Sequence, residues 1–157
     1  VNAAAGPGSG GGSGSGGGSG AGPVSGSVVV SPFDRHYGLE IVALGEGVAE
    51  ARLETGPQHA QPTGVVHGGV YCAIAEAIAS EGTNHAVRPS GRVGMGLSNS
   101  PNFLRSAPVP GVLVARAEAL HRGRSTWVWD VTIGDVTGTV RYAVTRMVIA
   151  VRDLPPA

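Results

Sequence analysis

Cysteine is nearly missing from the chain. Cys72 is the only one in 157 residues, which excludes an internal disulfide framework and leads us to expect a reducing compartment, by default the cytoplasm. Aromatic residues number seven, too few to stack successive bases of a nucleic acid. Charge of either sign is sparse and balanced, 11 basic against 11 acidic residues, so no field draws in a nucleic acid or an anionic membrane. No apolar run approaches the roughly 20 residues that cross a bilayer, and the opening lacks the basic start and apolar core of a secretory signal. We therefore expect a soluble protein with no membrane or nucleic-acid partner. The five histidines, His36, His59, His67, His85 and His121, are scattered without paired-ligand spacing, so no metal is expected.

Glycine is the one excess. Of 27 glycines, 12 lie within residues 1–27, together with 6 serines. That stretch has no charge and almost no branched apolar side chains, so it reads as a flexible Gly/Ser tail or linker. It also lacks the order of a phosphate-binding loop between a strand and a helix. The working domain is then 28–157, large enough to bury a core.

Within that domain the hydrophobic period changes twice. Leu39–Leu44 is a strand candidate stopped by Gly45 and Gly47. From Val48 to Thr55, Ala49, Ala51 and Leu53 alternate with Glu50, Arg52 and Glu54, the two-residue period of a strand with one wet face. The two form a hairpin. From His67 to about Glu81 the chain is dominated by alanine after a Gly-Gly opening, which predicts the single long helix. Four strands follow, near 92–99, 112–120, 125–133 and 139–151, separated by Pro/Gly turns. In the third, Trp127, Trp129, Val131 and Ile133 share one face. In the fourth, apolar residues occur at both parities, which predicts a central strand covered on both faces. One helix against six strands is an α+β architecture, with the helix lying along the concave face of an antiparallel sheet.

Chemistry concentrates on the helix. Gly68, Cys72, Glu76 and Ser80 recur every four residues and so form one stripe. A helix start offers unpaired N–H groups and partial positive charge, so the Gly68 amide suits a substrate carbonyl or a developing oxyanion. Glu76 is an acid among small apolar side chains, where an unpartnered charge is costly. A glutamate on a helix is ordinarily solvent-facing, and spacing alone leaves both readings standing. His67 suits orienting the loop, contacting a ligand or satisfying the helix start. Cys72 reads as a small core residue, since no activating base is evident.

The run His67-Gly68-Gly69-Val70-Tyr71-Cys72-Ala73-Ile74-Ala75-Glu76 with Ser80-Glu81 resembles the central helix of the hotdog-fold acyl-CoA thioesterases. It is most similar to the 4-hydroxybenzoyl-CoA thioesterase branch with Glu on this helix, and phenylacetyl-CoA thioesterases form a neighbouring branch. The resemblance extends from about Tyr37 to Arg152 and includes Asn102-Phe103-Leu104-Arg105 and His121-Arg122-Gly123-Arg124-Ser125-Thr126-Trp127. It implies that Gln61 and the Gly68 amide polarise the thioester carbonyl, that Glu76 attacks it or activates water, and that Ser80 stands where the branch has a Thr hydroxyl. It further implies that Arg105, Arg124, Ser125 and Thr126, with His67, contact the substrate, arginine forks being suited to the phosphates of coenzyme A. Ser106 replaces a Pro common in the family after the Arg.

The implied activity is hydrolysis of an aromatic or medium-sized acyl-CoA with no dissociable cofactor. The resemblance also implies a homodimer at least, with a tetramer of two dimers expected, Gln61 and Gly68 coming from one chain and Glu76 and Ser80 from the other. Two other classes are compatible with the fold: a non-catalytic acyl-CoA-binding module, and a hydratase or dehydratase. The latter typically uses a His with a carboxylate, and no His lies in the helix stripe.

Overall fold

The computed structural model describes residues 22–23, 28 and 30–154. Most of the expected 1–27 tail lies outside the described residues; within it, Gly22–Pro23 form a two-residue strand, β1, opposite Leu44 and Ala43. Six longer strands follow: β2 (Glu40–Gly45), β3 (Val48–Thr55), β4 (Arg92–Phe103), β5 (Gly111–Arg122), β6 (Thr126–Gly134) and β7 (Arg141–Asp153). All pair antiparallel, in the order β1-β2-β3-β5-β6-β7-β4. Helix α1 (Pro32–His36) precedes the sheet, and helix α2 (Gly68–Val87) lies along its inner face, touching β2 through β7. The α+β architecture read from the sequence is the one found.

The alternation that predicted β3 and β6 is realised. Ala49, Ala51 and Leu53 are buried while Arg52 and Glu54 are exposed, and Trp127, Trp129, Val131 and Ile133 are all buried. Because α2 buries Ala75, Ala77, Ala79 and Gly82 among its larger side chains, its backbone comes close to the sheet in places. The Trp129 ring lies directly on Gly82, where a β-carbon would come within 2.6 Å of it. Its Nε1–H donates to Thr83 Oγ1 at 2.9 Å, and that hydroxyl donates to the Ala79 carbonyl at 2.9 Å.

Three expectations change. The helix does not stop near Glu81 but runs to Val87, since Gly82, Thr83 and Asn84, turn-like in isolation, each serve a tertiary contact. The helix ends through a 3₁₀ turn at Arg88–Ser90 and Gly91 in the left-handed region, φ 72°. β7 is not central; it lies between β6 and β4, one from the edge, and β5 holds the middle. Its second apolar parity, Val144 and Val148, is half-buried on the outer face rather than covered. β4, expected to end at Asn99, continues to Phe103, Pro101 being tolerated because the strand is the sheet's edge. Helix α1 was not foreseen, although Ser31-Pro32 before Asp34 marks a capped start: Ser31 Oγ accepts from the Asp34 N–H at 3.0 Å with Pro32 in the first turn.

Candidate active site

The loop 57–67 delivers two of the predicted residues to the start of α2, and a buried histidine folds it. His59 Nδ1 accepts the Gly56 N–H at 2.9 Å, its Nε2 meets the Tyr37 carbonyl at 2.8 Å, and its own carbonyl accepts the His67 N–H at 2.8 Å. Only a neutral ring with its proton on Nε2 satisfies both ring contacts. The Gln61 N–H bonds the Val65 carbonyl at 2.8 Å, and its side-chain Nε2 donates to Thr63 Oγ1 at 2.7 Å.

His67 is the N-cap of α2. Its Nδ1 accepts the Gly69 N–H at 2.9 Å and its carbonyl accepts the Val70 N–H at 3.0 Å. The Gly68 N–H has no partner among the described residues, so the opening turn presents one free donor. The Phe103 ring rests against Gly68, where a β-carbon would stand 3.0 Å from two ring atoms. Gln61, Gly68, Tyr71, Phe103, Arg105 and Ser106 line one cleft of about 260 Å³. Three of the predicted residues thus come together. Beside the cleft lies a group that sequence reasoning passed over: the Tyr71 hydroxyl, buried in a side chain only 3% exposed, completes no hydrogen bond among the described residues. The Ala107 backbone lies near it, and burial pushes its phenol up.

Glu76 and Ser80 lie further along the same stripe. Burial pushes the Glu76 carboxyl above its ordinary range, and the Ser80 side chain beside it partly offsets the rise. Eight residues of helix separate Gly68 from Glu76, about 12 Å along the axis. The structure therefore does not bring the Glu76–Ser80 pair to the Gln61–Gly68 cleft of the same chain.

The predicted phosphate-contacting residues divide as well. Arg105 is exposed at the Gly68 cleft, where the Leu104 and Arg105 N–H groups both bond the Tyr142 carbonyl. Arg124, Ser125 and Thr126 lie at the β5–β6 turn, where Arg92 Nη1 donates to the Arg124 carbonyl at 2.9 Å and Arg152 Nη1 to the Ser125 carbonyl at 3.1 Å. The 12 residues of β4, about 36 Å of strand, separate these two groups. Beside the second is a cleft of about 510 Å³ lined by His85, Arg92, Arg122 and Trp127. Among the described residues no His, Cys, Asp and Glu cluster could hold a metal ion, and no helix is long and apolar enough to cross a membrane.

The description of the thioesterase superfamily matches residues 63–142, the span holding α2 and β4. The chain belongs to the thioesterase superfamily. A Mycobacterium tuberculosis relative named as an esterase is 44% identical over 114 residues, covering 71% of this chain and 81% of its own. Its structure superposes with a TM-score of 0.74 at 39% identity, covering 80% of this chain and all of that one. The 1,4-dihydroxy-2-naphthoyl-CoA hydrolase of Listeria monocytogenes is 38% identical over 115 residues, 73% of this chain and 91% of the hydrolase. A Staphylococcus aureus thioesterase, TM-score 0.73 and 26–28% identical over 78% of this chain and 99% of its own, has been solved with a glutamate and with a glutamine replaced by alanine. Those two positions are fifteen apart, the interval between Gln61 and Glu76 here. As a superfamily member the chain is a thioester hydrolase with the hotdog architecture.

Some site residues carried no local signal. His59 acts only through folded partners. Gly96 faces the helix in the ordinary parity of β4, and Asn99, which bonds the Cys72 carbonyl one turn before Glu76, faces it only because of the irregularity between Gly96 and Ser98. The pair Gly94 and Gly96 inside a strand was the one available sign of close backbone approach.

Proposed function

We propose that the protein hydrolyses an aromatic or medium-sized acyl-CoA at a site completed by a second copy of the chain, with Glu76 as nucleophile or general base. The observation that carries this reading is the half-buried Glu76 carboxyl, desolvated and raised in pKa, at the turn that faces the free edge of the sheet. Such a carboxylate is poorly solvated and hence reactive. In one chain it is about 12 Å of helix from the Gly68 N–H, whereas the carbonyl carbon and oxygen of a thioester are bonded neighbours. A partner bound along β4 removes the mismatch. Two-fold pairing would lay the Glu76 turn of one copy near the Gly68 cleft of the other, and would lay Arg124, Ser125 and Thr126 near the partner's Arg105. Met95, Leu97, Phe103 and Leu104 are large apolar residues exposed on and just beyond β4, as such an interface requires.

In this site the thioester oxygen takes the Gly68 N–H, aided by Gln61 once its amide leaves Thr63. Glu76 either takes a proton from water as the water oxygen attacks the carbonyl carbon, or attacks that carbon itself and is released by water. In both routes the C–S bond breaks and the coenzyme A sulfur gains a proton. Ser80 holds the carboxylate or the water, and no dissociable cofactor enters. The test is release of free thiol from benzoyl-CoA and hexanoyl-CoA by the purified protein, with Glu76→Gln alongside. Turnover lost in the variant supports the reading, and equal turnover in both would defeat it. Binding of acyl-CoA without turnover by the wild type would favour a binding module.

A further inference from the structure

We propose that the bulged stretch Gly96–Asn99 of the edge strand is the mount that holds the Glu76 carboxylate at the open rim of the sheet, with Gly96 as the positioning residue. This rests on the catalytic reading of Glu76. The Glu76 carboxylate occupies the space over Gly96 that any other residue would fill. A β-carbon there would stand 2.7 Å from Cδ and 2.9 Å from Oε2, with Oε1 closer still. Gly96 is not among the glycines with positive φ, so its backbone conformation does not require glycine. What a β-carbon would meet is the flexible end of the Glu76 side chain, so any other residue here displaces the carboxylate.

The strand is pinned on both sides of this position. On one side the Gly94 N–H donates to Asn84 Oδ1 at 2.8 Å. On the other, Asn99 Nδ2 donates to the Cys72 carbonyl at 2.9 Å, and Asn99 Oδ1 accepts from the Thr145 hydroxyl at 2.9 Å. The Cys72 carbonyl is also the acceptor to which the Glu76 N–H points in a regular helix. Asn99 therefore grips the turn that carries Glu76, and the Cys72 carbonyl, which can only accept, fixes which end of the amide faces the helix, buried Thr145 taking up the other.

The bulge makes this possible. Gly96 pairs with Ile149 and Ser98 with Val148, leaving Leu97 without a partner on β7. An uninterrupted strand would turn residues 94, 96, 98 and 100 inward. The extra residue resets the parity so that Gly96 and Asn99 both face α2, while Leu97, 59% exposed, faces out. Gly96 is itself exposed and Glu76 is only half-buried, at the edge strand along which a partner's thioester would come.

Gly96→Ala, Glu76→Ala and the double variant test this by thermal unfolding, and Gly96→Ala and Asn99→Leu by kinetics on benzoyl-CoA over a range of pH. If Gly96 makes room for the carboxylate, Gly96→Ala lowers the melting temperature in the wild type and costs markedly less in Glu76→Ala. It also lowers kcat by about tenfold or more with KM near wild type, because misplacing a reacting group by about 1 Å is costly. The acid limb of its pH profile moves as the carboxylate leaves its site. Asn99→Leu gives the same kcat-over-KM split. An equal melting cost in both backgrounds, or an unchanged kcat and acid limb in Gly96→Ala, overturns the proposal. A wild type inert toward thioesters defeats the catalytic reading instead; the melting cycle then still decides whether Gly96 holds Glu76.

Discussion

His67 takes the Gly69 N–H onto its Nδ1 at 2.9 Å and leaves the preceding N–H, that of Gly68, without a partner among the described residues. The cap thus stabilises the helix start without covering the donor proposed above for the thioester oxygen. Removing the cap should cost what other N-caps cost, about 0.5–2 kcal/mol for His67→Ala, whereas Asn, itself a good N-cap, should restore most of it. Thermal unfolding of the two variants checks this. A His67→Ala protein as stable as wild type would mean that the cap contributes nothing.

Glu76→Gln should cost about 10²–10⁴-fold in kcat if the carboxylate acts as general base, and should do so while making the chain more stable near neutral pH. An acid whose folded pKa is raised above its ordinary 4.5 holds its proton more tightly in the folded state, so its ionisation works against folding. Stability from this site is greatest below the unfolded pKa, falls as pH rises between the two values, and levels off above the folded one. The variant's advantage should therefore shrink as the solution is acidified toward the unfolded value. Melting curves at several pH values measure it, and a variant less stable than wild type at pH 7 would show that the carboxylate is not desolvated as described.

The Gly68–Cys72–Glu76–Ser80 stripe was legible because helix period is a local property, and so was the alternation of β3 and β6. What escaped depends on partners distant in sequence. Gly82, Thr83 and Asn84 look like a helix stop until Trp129 and Gly94 are placed against them. Asn99 belongs to the site only because one unpaired residue, Leu97, flips the strand's parity, and no propensity marks that. The stripe gave alignment on one face and no more, since residues eight apart share a face without sharing a pocket.

Tyr71→Phe offers a case where deletion of a polar group should not destabilise. Its hydroxyl is buried with no hydrogen bond among the described residues, and an unmet buried group costs about 1–3 kcal/mol. The variant's melting temperature should equal or exceed that of the wild type. A clear drop would show that the hydroxyl is paired in solution, with the Ala107 backbone beside it as the partner.

Gly82→Ala sets two effects of opposite sign against each other. In an exposed helix interior, Ala for Gly gains about 1 kcal/mol. Here the added methyl would come within 2.6 Å of the Trp129 ring, which is fully buried and tied by its Nε1–H to Thr83. The ring has no room to withdraw without breaking that bond, and overpacking of this kind costs about 1–3 kcal/mol. Steric overlap should win, so Gly82→Ala should lower the melting temperature although it improves helix propensity. Trp129→Phe in the same background removes the larger ring and should recover part of the loss, despite sacrificing the hydrogen bond to Thr83. Chemical unfolding of the single and double variants gives the coupling; strictly additive effects would mean that the contact between helix and ring does not limit how closely α2 approaches β6.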